Sequence, residues 1–256
     1  MINENIVPVW LAYQGALRVD QPLDNIYSFD YAGLSAGGEV LLNTAENGVV
    51  NWRDFKGSET EADLIYYGTS KAPVYGGFTS SVSYKGIELT VNMSYKFGFH
   101  FKHYYNAGVD PFYYNTRPDD IWTTRWMEPG DELTTRVPKI AYDGENPYTG
   151  VLEFWWDSYD ADWYWLDSQD NILDGGYIRI KDIILTYTIQ PKSLAKTPIK
   201  ALSASVQVSN PYTWLANERG IDPDQRNHNP NSTYYRRSTA GWTGLRSFIF
   251  GIRATF

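Results

Sequence analysis

The feature that most constrains this chain is a long alternation of polar and apolar residues on either side of a two-residue break at Lys85-Gly86. Side chains repeat every second residue along a strand, so this alternation predicts strands with one apolar face and one polar face. A break of two residues that contains glycine predicts a tight turn, and hence a hairpin with a continuous apolar face. The predicted apolar face carries Val74, Gly76, Phe78, Ser80, Val82, Tyr84, Ile87, Leu89, Val91, Met93, Tyr95 and Phe97.

The same period of two recurs in three later segments, at 177–190, 202–214 and 245–256. Together with the hairpin, these segments predict five strands of about ten residues or more, the length that a tilted strand needs to cross a bilayer. Strands of soluble proteins are mostly shorter, at about five or six residues. The sequence therefore predicts an all-β fold of unusually long strands.

The connections between the predicted strands alternate in length. Those at Lys85-Gly86 and 191–200 are short, whereas those at 99–176 and 215–244 are very long. Outer-membrane barrels show this alternation, with short periplasmic turns and long extracellular loops. A soluble or surface-exposed β-sandwich that binds carbohydrate remains the alternative, because the period of two alone does not distinguish a lipid-facing strand from a half-buried one.

Composition narrows the classes of function. The formal net charge of -8 disfavours a nucleic-acid partner. The absence of cysteine excludes disulfides, thiolate metal sites and cysteine nucleophiles. Aromatic residues make up 16% of the chain, a content that suits either the aromatic girdles of a membrane protein or a sugar-binding surface. The first ten residues lack the features of a secretory signal, so we expect an exported form to begin upstream of Met1.

Several segments resemble the C-terminal part of the SusC/RagA-like TonB-dependent transporters of Bacteroidetes-type bacteria. The late segment 174–189 has that family's pattern of Tyr, Arg and Lys between hydrophobic residues, ending in Leu-x-Tyr. The residues from about Asn25 onward follow the family's order of motifs. The segments that carry the resemblance are 31–34, 73–86, 174–189, 201–214, 220–224 and 248–256.

The resemblance implies a fold and a division of the chain. It implies the antiparallel strands of a transmembrane β-barrel, here a C-terminal portion of about five to six strands from an incomplete barrel, with long extracellular loops and no plug domain. Residues 1–256 would form a C-terminal barrel segment. Its parts would be 1–71, an upstream strand with extracellular loop; 72–98, the hairpin; 99–176, a long extracellular loop; and 177–256, the last three strands.

The resemblance also implies a function and a location. The chain would be a fragment of a nutrient importer in the outer membrane that takes up glycans, oligosaccharides or peptides. Its implied partners are a SusD-like surface lipoprotein, the TonB complex through the missing N-terminal parts, the barrel-assembly machinery and outer-membrane lipid. We expect no enzymatic activity, no catalytic residue, no metal site and no cofactor.

The most aromatic run of the chain lies inside the long connection 99–176. Flat rings stack on sugars and carboxylates accept hydroxyl hydrogen bonds, so the run predicts a loop that binds a ligand or a partner protein. Packing of this run against neighbouring loops is the alternative. The residues in question are Trp155, Trp156, Asp157, Tyr159, Trp163, Tyr164 and Trp165.

Two further sets of residues follow from the barrel interpretation. The first set should face lipid, because its members lie on the apolar side of the predicted strands. The second set should form the signal that closes the barrel at the C-terminal strand. The predicted lipid-facing residues are Leu89, Val91, Met93, Leu185, Val206 and Phe250. The predicted closing residues are Phe248, Phe250, Ile252 and Phe256.

Overall fold

The computed structural model describes residues 24–103, 121–139, 164–189, 191–195, 197–224, 226–227, 239–240 and 244–256. The chain divides into two compact units, and each is described by itself. The first comprises Met1–Lys71, His100–Leu173 and Arg226–Ala240; the second comprises Ala72–Phe99, Asp174–Gln225 and Gly241–Phe256. The described strands pair antiparallel and the helices are short, so the predicted all-β antiparallel fold is confirmed.

The first unit consists of short strands in small sheets. In chain-order numbering, the strands are β1 (Asn25–Phe29), β2 (Tyr31–Leu34), β3 (Val40–Thr44), β4 (Gly48–Asn51), β5 (Leu64–Thr69), β8 (His100–Lys102), β9 (Ile172–Asp174), β12 (Arg226–Asn227) and β13 (Thr239–Ala240). β1 pairs with β5, β2 with β3, β3 with β4, β8 with β9, and β12 with β13. Helical turns lie at Trp52–Phe55, Glu61–Asp63, Ile121–Thr124, Asp131–Leu133 and Gln169–Asn171.

Aromatic side chains build the core of the first unit. Trp52 and Phe55 enter it from a helical turn that begins after Asn51, whose side chain accepts a hydrogen bond from a backbone N–H at 3.0 Å. The Phe29 ring meets the rings of Phe55 and Tyr164 edge-on, with centroid distances of 5.9 and 5.1 Å. Such pairs contribute about 0.5–1.5 kcal/mol beyond the burial of their area, so they fix the chain segments around this core.

The segment 121–139 is attached to this core through Arg136. Its guanidinium lies over the Tyr31 ring at 4.7 Å and hydrogen-bonds Asp170, while the Tyr31 hydroxyl donates to the Arg136 carbonyl oxygen at 2.8 Å. Burial raises the pKa of Tyr31 above its ordinary value, and the hydrogen bond to Asp170 raises the pKa of Arg136. Tyr31 therefore stays neutral and Arg136 charged, which keeps this attachment intact.

The sequence predicts strand and loop in 1–71 and a long loop in 99–176. The described residues of both segments form short strands and helical turns that share one core. Sequence patterning gave little sign of this core, because strands of three to six residues leave too short a period to detect. A connection as long as 99–176 is uncommon without elements of its own, which agrees with the structure found there.

We expect Gly38→Ala to destabilise the first unit more than Gly48→Ala, by about 1–3 kcal/mol. Both glycines have a positive φ, at +75° and +67°, so alanine is strained at either position. A Cβ at Gly38 would lie 2.5 Å from Cδ2 of Trp126, whereas a Cβ at Gly48 meets nothing within 4 Å. Urea unfolding followed by tryptophan fluorescence would give the difference. Equal effects at both positions would contradict the close packing of Trp126.

The second unit contains one antiparallel sheet of five strands. The strands are β6 (Val74–Tyr84), β7 (Ile87–Phe97), β10 (Tyr177–Thr188), β11 (Ala201–Leu215) and β14 (Ser247–Thr255). They are the predicted hairpin and the three predicted later strands, and their order in the sheet is β14-β11-β10-β7-β6. A helical turn at Pro191–Leu194 lies between β10 and β11. Within the described ranges, no helix is both long and apolar enough to cross a membrane.

The turn between β6 and β7 has the geometry of a favoured hairpin connection. Lys85 and Gly86 have φ angles of 47° and 88°, and positive φ at both central residues matches the right-handed twist of the flanking strands. The register is regular along the whole hairpin, from Tyr84 opposite Ile87 to Val74 opposite Phe97. The predicted hairpin is therefore confirmed, including its register.

Candidate functional site

The candidate site is the five-stranded sheet itself, because one of its faces is apolar and exposed. Side chains that pair across antiparallel strands share a face. Toward the end of the sheet that has the short connections, the pairing produces a row that crosses all five strands. The row consists of Val82, Leu89, Leu185, Val206 and Phe250, which are 67%, 42%, 47%, 38% and 76% exposed.

All six predicted lipid-facing residues lie on this apolar face. Leu89, Leu185, Val206 and Phe250 belong to the row that crosses all five strands. Val91 and Met93 follow on β7 and are half-buried. Of the predicted closing residues, Phe248, Phe250 and Ile252 are exposed on the edge strand β14, and Phe256 is exposed just after it. Their roles in lipid contact and in barrel closure remain predictions.

A β-bulge keeps the apolar face continuous along β10. Ile180 pairs with Met93 and Asp182 pairs with Asn92, so Lys181 is an extra residue between them. A bulge shifts the side chains beyond it to the opposite face. The apolar residues of β10 change accordingly, from even-numbered positions such as Ile180 to odd-numbered positions such as Leu185.

The other face of the sheet is polar and internally hydrogen-bonded. On the hairpin, the Thr79 hydroxyl donates to Asn92 Oδ1 at 2.9 Å. On β10 and β11, Asp182 Oδ1 accepts hydrogen bonds from Gln207 Nε2 and the Ser209 hydroxyl, both at 2.7 Å. The two faces therefore differ in chemistry, with mostly apolar side chains on one and mostly polar side chains on the other, as strands between lipid and water require.

Aromatic side chains lie exposed at both ends of the apolar face. Tyr84 and Tyr187 lie at the end with the short connections, where Phe256 also lies. Tyr212 and Trp214 lie at the opposite end. Tyrosine and tryptophan favour the level of lipid headgroups, because their rings have one apolar and one polar part.

The segment 216–224, which we call the clamp loop, folds onto the polar face at the end opposite the short connections. Arg179 Nη2 donates to both carboxylate oxygens of Asp222 at 2.7 Å. The side chains of this ion pair are 15% and 1% exposed. The Lys96 ammonium and the Tyr177 hydroxyl both donate to Asp224, at 2.9 and 2.5 Å. These bonds connect the loop to two strands of the sheet.

The charge of Asp224 is stabilised where it lies. Burial favours the neutral carboxyl and would raise the pKa, but hydrogen bonds from Tyr177 and Lys96 and the positive charges of Lys96 and Arg179 outweigh it. The pKa of Asp224 is therefore lowered below its ordinary value. Sequence reasoning did not single out Arg179, Asp222 or Asp224 as a group; the acidic Gly-Ile-Asp-Pro-Asp motif was the signal present.

The predicted aromatic binding loop is only partly described. Trp155, Trp156, Asp157, Tyr159 and Trp163 lie outside the described residues. Tyr164 and Trp165 are 2% and 3% exposed in the core of the first unit, where they pack and present little surface to a ligand. Among the described residues, no three His, Cys, Asp or Glu side chains gather into a group that could hold a metal ion.

Comparisons with known proteins find a likeness in solved structures. No family model and no curated protein matches the sequence. The structure of the RagAB peptide transporter matches with a TM-score of 0.56 and 19% identity, over 91% of this chain and 23% of that chain. The structure of the RagAB peptide importer in the "open-open" state matches with a TM-score of 0.54 and 18% identity, over 90% of this chain and 22% of that chain. The same importer in the "closed-closed" state matches with a TM-score of 0.55 and 18% identity, over 90% of this chain and 23% of that chain.

These matches concern the fold. At 18–19% identity, the chain shares the fold of part of a SusC/RagA-like transporter chain. It spans less than a quarter of the length of the chains that it matches.

Proposed function

We propose that this chain is part of an outer-membrane transporter of the SusC/RagA type and that its five-stranded sheet spans the bilayer. The exposed apolar face carries this proposal. Its strands have 9 to 15 residues, and a tilted strand needs about 9–11 to cross the hydrocarbon. In this arrangement the apolar face contacts lipid and the polar face borders water.

The physical reason is that an apolar face of this size is unfavourable in water. Apolar surface costs about 25 cal/mol for each Å² that stays hydrated. A soluble β-sandwich removes this surface from water by packing a second sheet on it. In the described part of the chain, a row of the apolar face remains exposed on all five strands, which supports lipid contact over the sandwich alternative.

The cargo and partners follow from the likeness to importers. The matched structures are named as a peptide transporter or importer, which supports peptide uptake over glycan uptake as the function of the complete protein. We further propose a SusD-like surface lipoprotein, the TonB complex and the barrel-assembly machinery as partners. The aromatic loop that includes Trp155 and Trp156 remains our candidate for contact with cargo or with that lipoprotein.

A cysteine scan of β10 tests the lipid-facing assignment, and the chain is suited to it because it contains no cysteine. Single cysteines carrying an environment-sensitive fluorophore would be compared in the chain inserted into phosphatidylcholine vesicles. We expect lipid-like emission at 178, 180, 183, 185 and 187, and water-like emission at 182, 184 and 186. A lipid-soluble quencher should affect only the first set.

The bulge provides the internal control of this scan. A simple alternation would continue through Lys181, whereas the apolar set of β10 changes there from even to odd positions. Water-like emission at all positions, together with a chain that stays soluble without lipid, would contradict a membrane-spanning sheet and favour the soluble β-sandwich.

A further inference from the structure

Positive charge gathers at the end of the sheet that has the short connections. Lys85 lies in the turn between β6 and β7, and Lys192 and Lys200 lie between β10 and β11. The side chains of all three are exposed. The sequence has no acidic residue between Asp182 and Glu218, although the chain as a whole has a net charge of -8. We call Lys85, Lys192 and Lys200 the basic rim.

Backbone hydrogen bonds hold the parts of the basic rim together. The Thr188 N–H donates to the Gly86 carbonyl oxygen at 2.7 Å, which joins the hairpin turn to the end of β10. The Lys200 N–H donates to the Thr255 carbonyl oxygen at 2.7 Å, and its ammonium donates to the Phe256 carbonyl oxygen at 3.1 Å. The rim is therefore one continuous edge of the second unit.

The basic rim directly adjoins the apolar face. The Lys85 ammonium lies 5.0 Å from the centre of the Tyr84 ring, whose side chain is exposed at the end of that face. The exposed rings of Tyr187 and Phe256 lie near the two ends of the other short connection, between β10 and β11. Toward this end of the sheet, apolar side chains are followed by aromatic rings and then by cations. One leaflet of a membrane has the matching order of hydrocarbon, interface and headgroups.

We propose that the basic rim binds the phosphate groups of anionic phospholipids in the leaflet on the side of the short connections. This proposal rests on the membrane-spanning sheet proposed above and names the lipid class that the sheet prefers. A lysine near an anionic surface increases the partition coefficient by about fivefold. Three lysines should together increase it by about a hundredfold. All three lysines lie at one end of the sheet, so the preference should apply to one leaflet.

The experiment measures how the full chain partitions between buffer and vesicles. Sedimentation would be compared for vesicles of phosphatidylcholine alone and of phosphatidylcholine with phosphatidylglycerol. The rim variant is Lys85→Asn, Lys192→Gln and Lys200→Gln, with asparagine at 85 because it tolerates a positive φ. The matched control changes three exposed lysines of the first unit, Lys56→Gln, Lys71→Gln and Lys139→Gln, and alters the net charge equally.

We expect the unaltered chain to prefer phosphatidylglycerol vesicles, the rim variant to lose about a hundredfold in partition coefficient there, and the control variant to retain the preference. The preference should also disappear at about 1 M salt, where the Debye length is about 3 Å. Equal binding to both kinds of vesicle, or equal losses in both variants, would overturn the proposal. Insertion into phosphatidylcholine alone reports on the membrane-spanning sheet separately, so the two proposals can fail independently.

Discussion

Ile183→Arg should prevent stable insertion of the chain into lipid bilayers, with a loss of about 2–4 kcal/mol. Ile183 lies near the middle of the central strand β10, on the apolar face, where it pairs with Val91 of β7 and Val208 of β11. An arginine there would place a cation between the two aromatic ends of the apolar face, four residues from Tyr187. Folding into vesicles at a series of urea concentrations, measured by protease protection, would give the change in free energy.

Thr186→Arg is the matched control, because Thr186 lies on the same strand but on the polar face. It pairs with Glu88 and Ser205, so an arginine at 186 meets polar neighbours and a carboxylate. We expect this variant to insert within about 0.5 kcal/mol of the original, as surface substitutions usually do. Equal losses at 183 and 186 would contradict lipid contact through the apolar face of β10.

Asp222→Ala should release the clamp loop, at a cost of about 3–5 kcal/mol to its folded position. The substitution leaves Arg179 charged, largely buried and without its bidentate carboxylate. Trypsin offers a direct measurement, because Arg219 lies within the clamp loop and its cleavage should become much faster. Deuterium exchange of 216–224 should rise in parallel.

Two further variants make this result specific. Glu218→Ala removes an exposed carboxylate from the same loop and should leave the cleavage rate unchanged. Arg179→Met combined with Asp222→Ala should destabilise the loop less than Asp222→Ala alone, since it removes a largely buried charge that the single variant leaves with only Asp224, at 3.5 Å. If the double variant is as labile as the single one, the ion pair is not what holds the loop.

The clamp should also weaken in acid. The pKa of Asp224 is lowered in the folded protein, so its charge contributes stability that is present above its ordinary pKa of about 3.9. This contribution is lost as the pH falls through the lowered value. The protection factors of the amides in 216–224, which compare their deuterium exchange with that of an unstructured chain at the same pH, should therefore stay high at neutral pH and fall only in strong acid.

The sheet could be predicted from the sequence because its information is local. The alternation on each strand is visible within ten residues, and Lys85-Gly86 sets the register of the hairpin. The bulge in β10 also has a local signal in the sequence. Ile178 and Ile180 occupy even positions and Ile183 and Leu185 occupy odd ones, and only an extra residue between them can keep all four on one face.

The clamp loop and the first unit could not be predicted in the same way. The pair of Arg179 with Asp222 joins residues 43 positions apart, and no local pattern specifies such a contact. The aromatic side chains of Tyr164 and Trp165 suited a binding surface as well as a core, because the energy of ring contacts is the same in both. Only the tertiary structure distinguishes the two.

The pairing of β7 with β10 has a consequence for the order of folding. The hairpin of β6 and β7 closes across two residues, so it should form early and independently of the rest. β7 and β10, in contrast, meet only after the residues between Phe97 and Tyr177 have been looped out, and the entropy of closing that loop opposes the pairing. Compaction of the intervening segment into the first unit shortens the distance that must be closed. Substitutions in the core of that unit should therefore slow the completion of the sheet, although they lie outside it.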